Sequence, residues 1–389
     1  MFSHNSHYRK IFIIIFFFCL VYLSARSVRF PEIAGPMDRY GLSAEKLIPS
    51  KTRAVDSLNC ELVGGWFRGP SYAVSIVDTI AYLGGALYMK ILNVKDSTDP
   101  ILLGEIRFPS GFIWDIFVKD TFTYVADYEE GLRVINVSDP SSPAEIGFCE
   151  TPGHAQALWV QDTFAYIADN DYNPSDNRGL RIIDISDPSS PTIVGSYNEP
   201  WAYYCNDVWV QDTIAYVAGT GLRIINVSNP SSPYNISVFN DMLNFSRLYV
   251  RDTLAYTASF GFDTLFISIV NVADPSSPVE VGSYSLNIDF PYNVGEIGDI
   301  FVQDSLAYIA VFSLVIDPDS CGLYIVNVSD PASMSEVGNY LTDGGRAQDV
   351  WVKDNLAYVS CCVGYYKDDP EGLIIIDVSE PSSPAGVGE

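Results

Sequence analysis

Four aspartates have the residue type and spacing to do chemistry: Asp115, Asp207, Asp299 and Asp349. Each stands two residues before an aromatic, in the phrases Asp-Ile-Phe or Asp-Val-Trp. Carboxylates that converge on one point can hold a hard cation such as Ca²⁺ through oxygen ligands, or divide the work of acid and base. They can equally take backbone groups, Arg247 or water as partners. A second acidic set is scattered through longer segments: Asp127, Glu129 and Glu130; Asp169, Asp171 and Asp176; Asp317 and Asp319; Asp368 and Asp369. Such acids bind Ca²⁺ or a basic partner, or simply solvate a surface. His154 is the one histidine beyond the first ten residues, so a histidine-based acid–base site has almost no material.

The elements that position these residues recur. A phrase of the form Val-x-Asp-Thr-x-Ala-Tyr appears seven times, with its aspartates at Asp78, Asp120, Asp162, Asp212, Asp252, Asp304 and Asp354. A period of about 40–50 residues marks an array of small units that must stack on their siblings to bury apolar surface. Within one unit, Asp207–Val210 and Ile214–Ala218 alternate in polarity around Gln211-Asp212-Thr213, which predicts a hairpin. Gly221–Val227 predicts a third strand, which Ser228-Asn229-Pro230-Ser231-Ser232-Pro233 ends because proline has no donor and a fixed φ. A fourth strand is clearest as Ile193–Tyr197 and Val279–Tyr284. The expected fold is therefore all-β: a seven-bladed β-propeller of four-stranded antiparallel blades. Residues 61–67 read as a fourth strand that lacks its first three, and the seventh unit supplies three strands before residues 385–389. The N-terminal segment is expected to complete the last blade and close the ring, with the stub at 385–389 as its competitor.

The repeated residues read as packing. Tyr82, Tyr124, Tyr166, Tyr216, Tyr256, Tyr308 and Tyr358, each after a small residue, suit the crowded space between blades. Phe117, Trp159, Trp209, Tyr249, Phe301 and Trp351 form a second aromatic row, with Ser75 in the first unit. Asn93, Asn136, Asp184, Asn226, Asn271, Asn327 and Asp377 suit side-chain bonds to the following backbone. Length variation concentrates in the loops between second and third strands, which places any binding surface on that face. Cys321 and Cys361-Cys362 border such loops in adjacent units, so Cys321 with Cys361 or Cys362 is the expected disulfide.

Composition sets the outer limits. The chain has 389 residues, 48% hydrophobic, and a formal charge of −26. No basic stripe is present for a nucleic acid to use. Arg9-Lys10 before Ile11–Leu23 predicts a signal peptide over residues 1–25, or an uncleaved anchor, and this would be the chain's sole membrane contact. Residues 26–59 read as a linker and residues 60–389 as the propeller.

The segments Gly131–Pro140, Gly179–Pro188 and Gly372–Pro381, together with Asp-Val-Trp-Val paired to Ala-Tyr-Val-Ala, resemble the LVIVD repeat family. The resemblance covers about residues 61–389. It implies an exported β-propeller, periplasmic, extracellular or at the cell surface, and it supplies no catalytic residues. Asp stands here at the hairpin position where that family often has Gly. The expected function is noncatalytic: binding of a protein or glycan partner through the variable-loop face. The alternatives are a carboxylate- or Ca²⁺-dependent hydrolase or lyase at the channel mouth, and a structural spacer in a surface assembly. No cofactor is required, and Ca²⁺ is the one ion these residues suggest.

Overall fold

The computed structural model describes residues 59–66, 70–170, 179–198, 204–261, 264–288, 295–313, 321–342, 345–362 and 372–380. They form seven antiparallel sheets radiating from a common axis, and the one helical element among them is a 3-10 turn at Pro331–Ser333. The inner strands are Ala73–Val77, Ile113–Lys119, His154–Gln161, Cys205–Gln211, Arg247–Arg251, Gly295–Gln303 and Arg346–Lys353. Each touches the next, and the last touches the first, so the ring closes. In blade four, Ile214–Asn226 runs as one β stretch. It doubles back at Gly219-Thr220-Gly221, since the Val227 amide donates to the Thr213 carbonyl at 2.9 Å as in the sister hairpins.

Closure follows the sequence expectation. Glu61–Trp66 pairs antiparallel with Gly372–Asp377 as the outer strand of blade seven. It carries a register shift between Leu62 and Gly64, as true fourth strands do between Ile182 and Ile183 or between Ile269 and Val270 on the strand they pair with. Phe67 and residues 385–389 lie outside the described residues.

The core is divided among seven buried apolar clusters, one at each seam between blades. The period of two in the strands explains the repeated Ala-Tyr pair. Ala307 faces the seam between blades five and six, and Tyr308 faces the seam between six and seven. Fully burying an Ile or Leu here contributes roughly 1.5–3 kcal/mol, so each blade is stable only against its neighbours.

Two backbone features set the tightness of the ring. All seven turn aspartates have φ between 52° and 56°, the left-handed region that Asp tolerates better than most residues. Their two-residue turns are uniform, as Asp-Thr between the paired Val160 or Val210 strands requires. At the outer rim, a Cβ on Gly104, Gly147, Gly195 or Gly282 would lie 1.7–2.3 Å from a proline carbonyl of the next blade. The fourth strand therefore needs glycine where the neighbouring Pro-containing loop crosses it.

The cysteine expectation is corrected. Cys321, Cys361 and Cys362 are buried, and no disulfide joins Cys321 to either of the other two. Cys321 packs into the seam between blades five and six and Cys361 into that between six and seven, so the two side chains occupy opposite sides of one sheet.

Candidate functional site

An inner strand has no strand beyond it, so every second amide faces the channel without a ladder partner. The seven equivalent amides are those of Val74, Ile116, Leu158, Val208, Leu248, Ile300 and Val350. The four aspartates singled out by the sequence converge on this level and serve as their acceptors. Asp115 accepts from Ile116 at 2.7 Å and from Leu158 of the next blade at 2.7 Å. Asp207 accepts from Val208 at 2.7 Å and from Leu248 at 2.8 Å. Asp299 accepts from Ile300 and Val350, and Asp349 accepts from Val74 of blade one at 2.7 Å. Each carboxylate thus straps one blade to the next. Register shifts beside Asp115, Asp207, Asp299 and Asp349 turn the backbone so that this reach is made.

Enclosure by protein pushes these carboxyls upward: Asp115 to about 6, Asp207 to about 8, with Asp299 and Asp349 also raised. Each is half-buried by surface area, because the channel admits water on one side, while protein crowds every other side. Arg247 is the single cation at this level among the described residues, and its charge opposes the rise at Asp207 and Asp299. Its guanidinium donates from Nε to the Gly298 carbonyl and from Nη1 to the Ser246 carbonyl.

These bonds give the four aspartates a structural use beside the metal-ligand reading. Both oxygens of Asp115 and of Asp207, and Oδ2 of Asp349, point at amide hydrogens, which are poor company for a cation. Among the described residues, no group of three His, Cys, Asp or Glu side chains is arranged to hold a metal ion.

Further along the same faces of the inner strands lie two more belts. Phe117, Trp159, Trp209, Tyr249, Phe301 and Trp351 touch in succession with ring centroids 3.8–5.4 Å apart, forming a collar that is open at Ser75. Beyond it, the side chain before the turn aspartate donates to the turn carbonyl of the next blade in six of the seven blades. Lys119 reaches Asp162 at 2.6 Å, Gln161 reaches Asp212 at 2.7 Å and Lys353 reaches Asp78 at 2.5 Å. Gln211, Arg251 and Gln303 do the same to Asp252, Asp304 and Asp354. Sequence reasoning missed this belt, although Lys, Gln or Arg before six of the seven turn aspartates was its signal.

The loop acids divide. Asp127 and Asp169, expected on a binding surface, are buried in ion pairs instead: Asp127 with Arg133 at 2.6 Å and Asp169 with Arg181 at 2.9 Å. Burial raises both carboxyls against the pull of their arginines. Asp127 also accepts from the Phe112 amide and Asp169 from the Gly153 amide, so each ties its blade to an entry loop. Glu129 is exposed, and Glu130 accepts from Ser110 at 2.9 Å. Asp171, Asp176, Asp317, Asp319, Asp368 and Asp369 lie outside the described residues. The third-strand Asn and Asp side chains do cap the following backbone, as at Asn136 to Ser138 and Asp377 to Ser379.

One feature of the variable-loop face was not foreseen. Tyr72, Trp114, Tyr128 and His154 form a row with successive ring centroids 5.9, 5.2 and 4.4 Å apart, and Phe112 meets Tyr72 edge-on at 6.3 Å. All five are half-buried. The residues equivalent to Tyr72 and Trp114 in later blades are Gln156, Asn206, Ser246, Gly298 and Gln348, so the repeat does not demand aromatics there.

A ring of seven four-stranded sheets, strapped by its own repeat residues, defines a β-propeller. The model of the LVIVD repeat matches residues 110–151, 152–199, 204–241, 255–285, 294–342 and 344–389, so the chain belongs to the LVIVD repeat family. Blade one lies outside these matches. No curated protein matches the chain. Among solved structures, the chain is similar to the computationally designed Ika8 protein, with a TM-score of 0.55 and 10% identity over 82% of this chain and 99% of that one. That likeness concerns the fold alone.

Proposed function

We propose that this protein is a noncatalytic, exported propeller that binds a protein or glycan partner through its variable-loop face. The observation that carries this reading is the aromatic row Tyr72–Trp114–Tyr128–His154. Most of the described residues singled out by the sequence fasten blades together or cap their own loops. The row also packs across blades one to three, yet each of its rings stays half-exposed, and it occupies the face where loop lengths vary. Half-exposed aromatics beside an acidic residue such as Glu129 suit recognition by stacking with a polar rim. The channel-mouth carboxylates favour a structural role over catalysis, because their oxygens already accept backbone amides. Export rests on the apolar segment Ile11–Leu23, and no helix among the described residues is long and apolar enough to cross a membrane.

The test is Trp114→Ala in the full chain, compared with wild type on arrays of glycans and peptides. The expected result is a bound class whose signal falls at least about tenfold, about 1.4 kcal/mol, at a temperature where both proteins are fully folded. Equal binding by the variant, or turnover of the bound ligand, overturns the reading.

A further inference from the structure

The third strands of blades one to four carry a basic residue at the same place: Lys90, Arg133, Arg181 and Arg223. In blades two and three it meets a carboxylate from the end of the second strand, Asp127 or Asp169. That carboxylate also takes an amide of the entry loop, from Phe112 or Gly153. A cation and an amide donor thus make a seat for a carboxylate, and the chain fills it from within.

Blade one keeps the cation and empties the seat. Gly85 takes the place of the aspartate. Pro70 takes the place of Phe112, as the matched amide bonds from Ser71 to Cys361 and from Ile113 to Gly85 show, and proline has no amide hydrogen. A cavity of about 200 Å³ is left, with Trp66, Pro70, Leu83, Gly85, Tyr88 and Lys90 in its wall. Blade four also has glycine here, but the Tyr204 carbonyl lies 2.1 Å from where a Cβ of Gly219 would stand. At Gly85 the nearest atom to that point is 2.8 Å away, so backbone crowds the blade-four seat more closely.

The Lys90 ammonium is held at the cavity wall, 4.7 Å from the ring centre of Trp66 and 5.9 Å from that of Tyr88. Burial draws it below the usual lysine range, and the charge of Glu105, its cross-strand neighbour, draws it back. Glu105 is exposed on the outer strand and does not line the cavity. Arg133 shows that a cation at this place serves two acids at once, Asp127 at 2.6 Å and Glu145 at 3.0 Å.

We propose that this cavity binds the carboxylate of a small acid with an apolar body, seated on Lys90 as Asp127 and Asp169 are seated on their arginines. An apolar cavity of about 150 Å³ takes up benzene, so the space suits one ring or a short aliphatic body beside the carboxylate. The acid is free or is the C-terminal end of a peptide, and the chemistry at Lys90 is the same for both. The site stands apart from the Tyr72–Trp114–Tyr128–His154 row, none of whose rings lines it.

The experiment measures binding of benzoate and of its neutral isostere benzamide to the full chain by equilibrium dialysis. A ligand this small is expected to bind in the millimolar range or tighter. Wild type should prefer benzoate by at least about tenfold, because a hydrogen bond to a charged group is at stake. Lys90→Met should lose that preference, and Lys90→Arg, which copies blades two to four, should keep it. The wild-type ratio needs no variant, so it decides even if Lys90→Met does not fold. A peptide ending in a free phenylalanine carboxylate and its amidated twin separate the sources. Tighter binding of the free-ended peptide than of benzoate assigns chain ends, and the reverse assigns a free acid. Binding of neither acid, equal binding of benzoate and benzamide by wild type, or an unchanged preference in Lys90→Met overturns the proposal and leaves the reading of the aromatic row untouched.

Discussion

Blade three and blade one share a plan and fasten themselves by different chemistry. On the third strand, Arg181 of blade three is 2% exposed and pairs with the fully buried Asp169. At the equivalent place blade one has Lys90, and Gly85 stands where Asp169 would be. The Lys90 ammonium lies 4.7 Å from the ring centre of Trp66, on the closing strand, and 5.9 Å from that of Tyr88. A cavity of about 200 Å³ lined by Trp66, Ser71, Leu83, Tyr88 and Lys90 opens beside it. On the inner strand, blade three offers Trp159 and Gln161, whereas blade one offers Ser75 and Val77. Blade one gives little to the polar belts and receives from blade seven, through Asp349 to Val74 and Lys353 to Asp78. The difference teaches that the unit next to the closure acts as a receiver. Its junction with blade two relies on apolar contact among Ala73, Met89, Phe108, Ile113 and Ile135, plus the Tyr72–Trp114 stack.

The sharpest way to break this comparison is to orphan the buried cation of blade three. Asp169→Ala leaves Arg181 enclosed without its buried carboxylate, while its bond to Asn198 stays. The expected cost is about 3–5 kcal/mol in urea unfolding. The double change Asp169→Leu with Arg181→Met should recover most of it, since a well-packed apolar pair replaces a buried ion pair at little cost. Lys90→Met in blade one should cost under about 1.5 kcal/mol, because no enclosed carboxylate is stranded. Equal losses at 169 and 90 would mean that the two blades are fastened alike.

A smaller effect probes the closing strand. Gly195→Ala puts a Cβ 1.7 Å from the Pro230 carbonyl, and Gly64→Ala puts one 2.1 Å from the Ser97 carbonyl. Both should lower stability by about 1–3 kcal/mol through forced displacement of the next loop. Blade four shows the permitted variation: Ser237 holds the equivalent place and donates to the Pro275 carbonyl at 2.5 Å. If Gly64→Ala is silent while Gly195→Ala is not, the N-terminal strand is seated more loosely than a native fourth strand.

How much of this was legible before the structure depends on distance along the chain. The hairpins, the blade count and the Glu61–Trp66 closure follow from local alternation and from units that need one another's flanks. The convergence of Asp115, Asp207, Asp299 and Asp349 was legible too, since they share one offset in the repeat. Their partners were not, because an inner-strand amide that faces the channel leaves no mark on residue type. Asp127 and Asp169 misled for a related reason. Each ends a strand before an acidic loop, and only the fold brings Arg133 or Arg181 over it. The phrase Gly-Leu-Arg recurs in blades two to four, yet its arginine looks like a surface residue until the next sheet covers it. The aromatic row escaped notice because Tyr72 and Trp114 share an offset that is not aromatic in later blades, Tyr128 and His154 stand at other offsets, and the four meet only across three blades.

The smallest effect is also the most selective, because it adds an interaction. Val77 is 39% exposed, at the one position in seven where the residue before the turn aspartate cannot donate. Its counterparts reach the next blade's turn carbonyl, so the Asp120 carbonyl receives no such bond from blade one. Val77→Gln should supply it, in the manner of Gln161 to Asp212. A hydrogen bond at a partly exposed site contributes about 0.5–1 kcal/mol, so a melting temperature raised by a degree or two is the expected result. The reverse change, Gln161→Val, should cost a similar amount. A gain at 77 that matches the loss at 161 would mean that blade one is a receiver by sequence and not by geometry. If Val77→Gln does nothing while Gln161→Val destabilises, the seam between blades one and two is set too wide for the belt, and its apolar contacts and the Ile113 amide bond to the Gly85 carbonyl hold it instead.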